Sequence, residues 1–135
     1  MAQDEACGLA IVTGAGLNAE RQDRPLAYAL RERIATAAPE IDAVVCADLQ
    51  YLNDAGLRET PTISVGGPAA NALSAYLIAR LPSVLAVDGV YAVLMDADAI
   101  PPLACCWGRD AGGTAAAVEG FAARHLEAFL EACRG

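Results

Sequence analysis

The sequence predicts an α/β domain of three layers: a mainly parallel, Rossmann-like or flavodoxin-like sheet of five to six strands, about three helices and one β-hairpin. Three observations predict it. Short apolar runs alternate with stretches of helical periodicity, at intervals of roughly 20–40 residues, the order that winds a parallel sheet. Glycine-rich segments follow three of the runs, and an Asp-Gly pair separates two others. With 135 residues the chain has the length of one domain, taken as residues 1–135.

Residues 8–13 (GLAIVT) read as the first strand, followed by the loop GAGLNAERQD. Asp23 is placed to cap a first helix over 24–38, with Pro25 in its first turn, Leu26, Leu30 and Ile34 as its apolar stripe and Pro39 closing it. Residues 43–49 (AVVCADL) form a second strand, apolar enough to be covered on both faces, and 53–61 a polar loop. A third strand, 62–65, runs into GGPAAN. There Pro68 is suited to the first position of a second helix, 68–81, with Leu73, Leu77, Ile78 and Leu81 facing inward and Pro82 ending it. Residues 84–87 and 90–95 flank Asp88-Gly89, a strong hairpin signal, which adds one antiparallel partner. After Pro101-Pro102 a last strand, 103–107, leads through Gly108-Arg109-Asp110 into the longest helix, 111–133. Its stripe is Val118, Phe121, Ala122, His125, Phe129 and Cys133.

Composition excludes several functions. All nine basic residues are arginine, so a P-loop lysine, a Schiff base and a lysine general base are absent; the net charge of −8 argues against a nucleic-acid partner. No uninterrupted apolar run is long enough to span a membrane. The acidic start, MAQDEAC, has no leader pattern, so a cytoplasmic protein is expected. Five cysteines without C-x-x-C spacing fit neither a disulfide framework nor a zinc site, and Cys46 and Cys105 read as small hydrophobes. Asp96 and Asp98 read as turn-forming carboxylates, and His125 as a core or contact residue. Position 19 is Ala where a dinucleotide fingerprint has its third glycine. No motif identifies a cofactor.

Chemistry is therefore sought at the carboxyl ends of the strands, where open α/β sheets bind ligands. Loops 66–71 and 108–114 each lead into a helix, and exposed N–H groups there favour an anion. Gly66, Gly67, Asn71, Gly112, Gly113 and Thr114 are the candidate ligand-binding residues of these loops. Arg109 is their only cation and suits a carboxylate or phosphate; Asp110 offers an acceptor for hydroxyls. Asp48, ending the second strand, is the candidate reader of a ribose or another hydroxyl. Backbone N–H groups of Ala69, Ala70, Gly112 and Gly113 are expected to converge with Arg109. The same glycines, caps and Pro68 also serve strand-to-helix turns that bind nothing.

At VGGPAAN and GRDAGGTAA the chain resembles the Rossmann-like domains of surface-layer proteins. Gly66, Gly67, Pro68 and Asn71 match one of their patterns, and Gly108, Asp110, Thr114, Ala115 and Ala116 the other. The resemblance covers about a quarter of the chain and implies a parallel α/β layer fold with a structural, wall-associated role. Without a nucleophile–base pair or a metal cluster, the residues favour a non-catalytic binding or assembly module. Its ligand would be small and anionic or nucleotide-like. A small enzyme using the same crevice is the alternative. The high apolar fraction of so small a domain predicts a homodimer, through a helix face or the hairpin edge.

Overall fold

Six strands form where the apolar runs lie: β1 (Cys7–Thr13), β2 (Ile41–Ala47), β3 (Thr62–Val65), β4 (Ser83–Val87), β5 (Tyr91–Asp96) and β6 (Leu103–Gly108). They make one sheet in the order β2-β1-β3-β6-β5-β4. The structure is a computed structural model and describes residues 7–135; residues 1–6, most of the segment read above for a leader, lie outside it. Among the described residues no helix is long and apolar enough to cross a membrane.

The sheet is mixed. Ile11 stands beside Val45 of β2 and Ile63 of β3, and Ser64 beside Cys105, all in parallel pairings. β5, however, runs antiparallel to both β4 and β6, whereas a mainly parallel sheet with a single antiparallel partner was expected. The reason is connection length. β4 and β5 are joined by a tight turn in which Gly89 takes φ +75° and Val90 N–H donates to Val87 O at 2.9 Å. The stretch from β5 to β6 is equally too short for a crossover helix.

Alternation along the strands sends side chains to two cores. Leu9, Ile11, Ile63, Val65 and Cys106 meet helix α1 (Arg24–Ala37), helix α5 (Ala111–Arg124) and helix α6 (Leu126–Cys133). Ala10, Val12, Cys46, Leu94 and Cys105 meet Tyr51 of α2 (Asp48–Leu52) and Leu73 and Leu77 of α4 (Ala72–Ile78). Helices thus cover both faces, and each fully buried Leu, Ile or Phe contributes about 1.5–3 kcal/mol.

Among the described residues there are six α-helices rather than about three. The polar loop after β2 holds α2 and α3 (Ala55–Arg58), the latter capped by Asp54 accepting from Leu57 N–H at 3.1 Å. The second expected helix begins at Ala72 rather than Pro68, because 67–71 is a turn in which Ala70 and Asn71 N–H both donate to Gly67 O. The longest expected helix is broken at His125, whose φ is −127°. Its carbonyl accepts from Phe129 N–H at 3.0 Å, and the break sets Phe129 edge-on to Phe121, centroids 5.8 Å apart. The first glycine-rich loop also contains a π-helical turn, Ala19–Asp23, running directly into α1.

Candidate functional site

Three segments meet at the carboxyl ends of β1, β3 and β6: the π-helical turn, loop 66–71 and loop 108–114. Their backbones pack too closely for side chains. A Cβ on Gly14 would stand 1.9 Å from Ala70 O, and one on Gly108 2.1 Å from Gly113 C. From neighbouring strands β3 and β6, helices α4 and α5 depart to opposite faces. The gap between them is an open concavity of about 360 Å³. Gln22 and Asp23 line it from the π-helical turn, Gly67, Pro68, Ala69 and Ala70 from one loop, and Trp107, Gly108, Arg109, Asp110, Ala111 and Thr114 from β6 and the other.

Of the residues singled out in the sequence, Gly67, Arg109, Asp110 and Thr114 line this concavity, while Gly66, Asn71, Gly112, Gly113 and Asp48 do not. Asn71 is 1 % exposed and ties three elements together. Its Oδ1 caps α4 by accepting from Leu73 and Ser74 N–H, and its Nδ2 faces Val12 O, Val65 O and Ser64 Oγ at 3.0–3.1 Å. Ser64 Oγ and Ser74 Oγ close the knot at 2.7 Å. Asp48 does not end β2 facing the crevice. It opens α2, and its carboxylate accepts from Leu49 N–H at 2.7 Å and Ala72 N–H at 2.8 Å, which ties α2 to the start of α4.

Two of the four backbone N–H groups expected to converge are taken within their own loops: Ala70 N–H by Gly67 O, and Gly113 N–H by the capping Asp110 Oδ1 at 2.8 Å. Thr114 Oγ1 accepts from Gly108 N–H at 3.1 Å, which bends the loop back on β6. Arg109 is exposed; its N–H donates to Val90 O, and among the described residues its guanidinium forms no ion pair.

Sequence reasoning missed Asp23 and Trp107. Asp23 reads as an N-cap, yet its side chain caps nothing, because the π-helical turn continues into α1 with helical dihedrals at Asp23 (φ −93°, ψ −36°). Capping needs an extended residue there. The residue is only 7 % exposed and its carboxylate lies against Gly66, which has φ +120°; a Cβ on that glycine would meet Asp23 Oδ2 at 2.6 Å. Burial with no compensating partner pushes the Asp23 carboxyl above the usual carboxylate range. Two buried side-chain atoms lack partners among the described residues, Thr13 Oγ1 and Trp107 Nε1. Thr13 is the last residue of β1 and Trp107 the next to last of β6, so both belong to the end of the sheet where Asp23 lies. No local pattern in the sequence marks them.

The remaining reactive groups lie elsewhere. Burial pushes the Cys105 thiol up to about 11 and the Cys106 thiol well above its ordinary value, and both are packed as small hydrophobes. Asp96 Oδ1 accepts from Asp98 and Ala99 N–H in a local turn. His125 sits at the break between α5 and α6 and is not among the lining residues. A scan against protein-family models finds no match, and no curated protein matches the chain.

Proposed function

We propose that the protein is a non-catalytic binding module, a three-layer Rossmann-like α/β domain that holds a small ligand in the concavity between loops 67–70 and 107–111. The observation that carries this reading is Asp23, a largely buried residue whose carboxylate has no hydrogen-bond partner among the described residues, on the wall of the concavity at the carboxyl ends of β1, β3 and β6. Ligands bind beyond the carboxyl ends of the strands in open α/β sheets, and the start of the strand order, β2-β1-β3, is that of flavodoxin-like folds. Binding rather than catalysis is favoured because no histidine, cysteine or serine lines the concavity, and Thr114 Oγ1 and Asp110 Oδ1 already accept from backbone N–H groups of the loop. The surface-layer resemblance is read as one of fold geometry, since Asn71 and Thr114 of its two motifs hold the loops together. The five cysteines, all free thiols, support a reducing, cytoplasmic compartment.

A thermal-shift screen of small metabolites on wild type and Arg109→Ala tests the reading. Ligands that raise the wild-type Tm should bind the variant about 10–100-fold more weakly, the worth of a charged hydrogen bond. Hits indifferent to Arg109 would sink it.

A second copy of the chain is the proposed partner, through the β4 edge. Ser83–Val87 carries no charge, and Val84, Val87 and Val90 of the hairpin are exposed. Natural edge strands that stay unpaired are usually blunted by charge or proline. Sedimentation equilibrium should give a dimer that Ala86→Lys dissociates; a 13.9 kDa species at micromolar wild type would remove this part.

A further inference from the structure

The charged groups on the wall of the concavity are two carboxylates and one guanidinium: Asp23, Asp110 and Arg109. An anion entering it would stand beside both carboxylates, one of them without any partner to neutralise it. A cation would face Arg109 and the positive N-terminal end of α5. A neutral molecule bearing both donors and acceptors meets neither penalty. Its hydroxyls can donate to Asp23 and accept from Arg109. The floor is made of small residues, Gly67 to Ala70, so a ring can come close to the backbone, and the Trp107 indole on the adjoining wall suits the apolar face of a sugar ring. At about 360 Å³ the space is near the lower end for ligand sites, the size of one ring rather than of a dinucleotide. An adjoining concavity of about 350 Å³, between the β4–β5 hairpin and β6, shares Trp107 and Arg109, which leaves room for a second ring.

We propose that the concavity binds a neutral polyhydroxylated ligand, a sugar or the ribosyl part of a nucleoside, and that Asp23 is the carboxylate that reads its hydroxyl groups. This rests on the reading of the concavity as the binding site. Asp48, placed by sequence for the same task, does not line the concavity, and its two oxygens each accept from a backbone N–H group instead.

The test is a two-dimensional amide NMR titration of the full chain with D-ribose, D-mannose, N-acetylglucosamine and cellobiose, and in parallel with inorganic phosphate and putrescine. At least one sugar should cause saturable shifts at Gly67, Gly108, Ala111 and the Trp107 indole N–H, with phosphate and putrescine weaker. Asp23→Asn should weaken that sugar at least 10-fold while its urea midpoint stays at or above the wild-type value, which separates lost recognition from lost folding. Sugar shifts that survive Asp23→Asn unchanged would overturn the role of Asp23. Saturable phosphate or putrescine binding at these residues without sugar binding would overturn the ligand class and leave the site standing. No saturable shift at these residues from any of the six probes would overturn the site and the inference together.

Discussion

Asn71 and Asp23 flank the same glycine, Gly66, at the same end of the sheet, and both are more than nine-tenths buried. Their hydrogen bonding is opposite. Around Asn71 every polar atom has partners: two backbone donors on Oδ1, three acceptors around Nδ2, and a serine pair behind it. Around Asp23 there is none among the described residues, and burial raises its carboxyl pKa, so its ionised form is held at a cost. Since a buried polar group destabilises unless it is hydrogen-bonded, the first cluster is spent on the fold and the second is left over from it. A polar group that the fold leaves unpaired, in an open concavity, is where a ligand has something to add.

Substitutions can break or sharpen that contrast. The largest effect belongs to Asn71→Ala, which removes a helix cap and strands several buried partners. Urea unfolding should show a loss of about 3–4 kcal/mol, and a loss under about 1 kcal/mol would mean that the knot does not hold the loops. Gly108→Ala comes next, because its Cβ would overlap the backbone of Gly113 and Thr114; overpacking of this kind costs about 2–3 kcal/mol, and an unchanged thermal midpoint would disprove the close approach.

Asp23→Asn should act in the other direction, raising stability at pH 7 by about 1 kcal/mol, because the amide stays polar but leaves no charge to desolvate. Its pH dependence has a definite sign. The folded-state pKa lies above the unfolded value of 3.8, so below 3.8 both states hold the proton and the ionisation costs nothing. As pH rises through the raised folded pKa the unfolded state has already ionised, and wild-type stability falls. The advantage of the variant should therefore open across that window and stay constant above it; an advantage independent of pH would assign it to something other than the carboxylate. Arg109→Ala is the smallest change. An exposed side chain without an ion pair should move stability by no more than about 0.5 kcal/mol, and a larger loss in chemical denaturation would show that Arg109 serves the fold.

Much of the architecture is legible locally. The apolar runs give all six strands to within a few residues. Of the stripe Leu26, Leu30 and Ile34, the last two are buried in α1 as expected, while Ala27 rather than Leu26 is buried beside them; Asp88-Gly89 gives the hairpin. Asp110 before Ala111 gives the cap of α5. Pro68 misleads, because a proline suited to a helix start is equally suited to a turn, and the choice is made three residues later when Asn71 finds Val12 and Val65. The loops beside the concavity are legible as glycine-rich strand ends, but the division of labour within them is not.

Periodicity, turn chemistry and the lack of lysine are properties of the chain itself, and they determined the α/β class, the hairpin and the chemistries the protein does not have. Only the tertiary structure decided which polar groups were consumed. Asp48 and Asp23 are the same residue type at comparable strand-to-helix passages, and nothing beside them in sequence tells them apart. Asp48 meets Ala72 N–H, 24 positions away. Asp23 lies against Gly66 and accepts no hydrogen bond among the described residues, because hydrogen bonds to distant backbone are set by how the strands and helices pack rather than by the residues next in line.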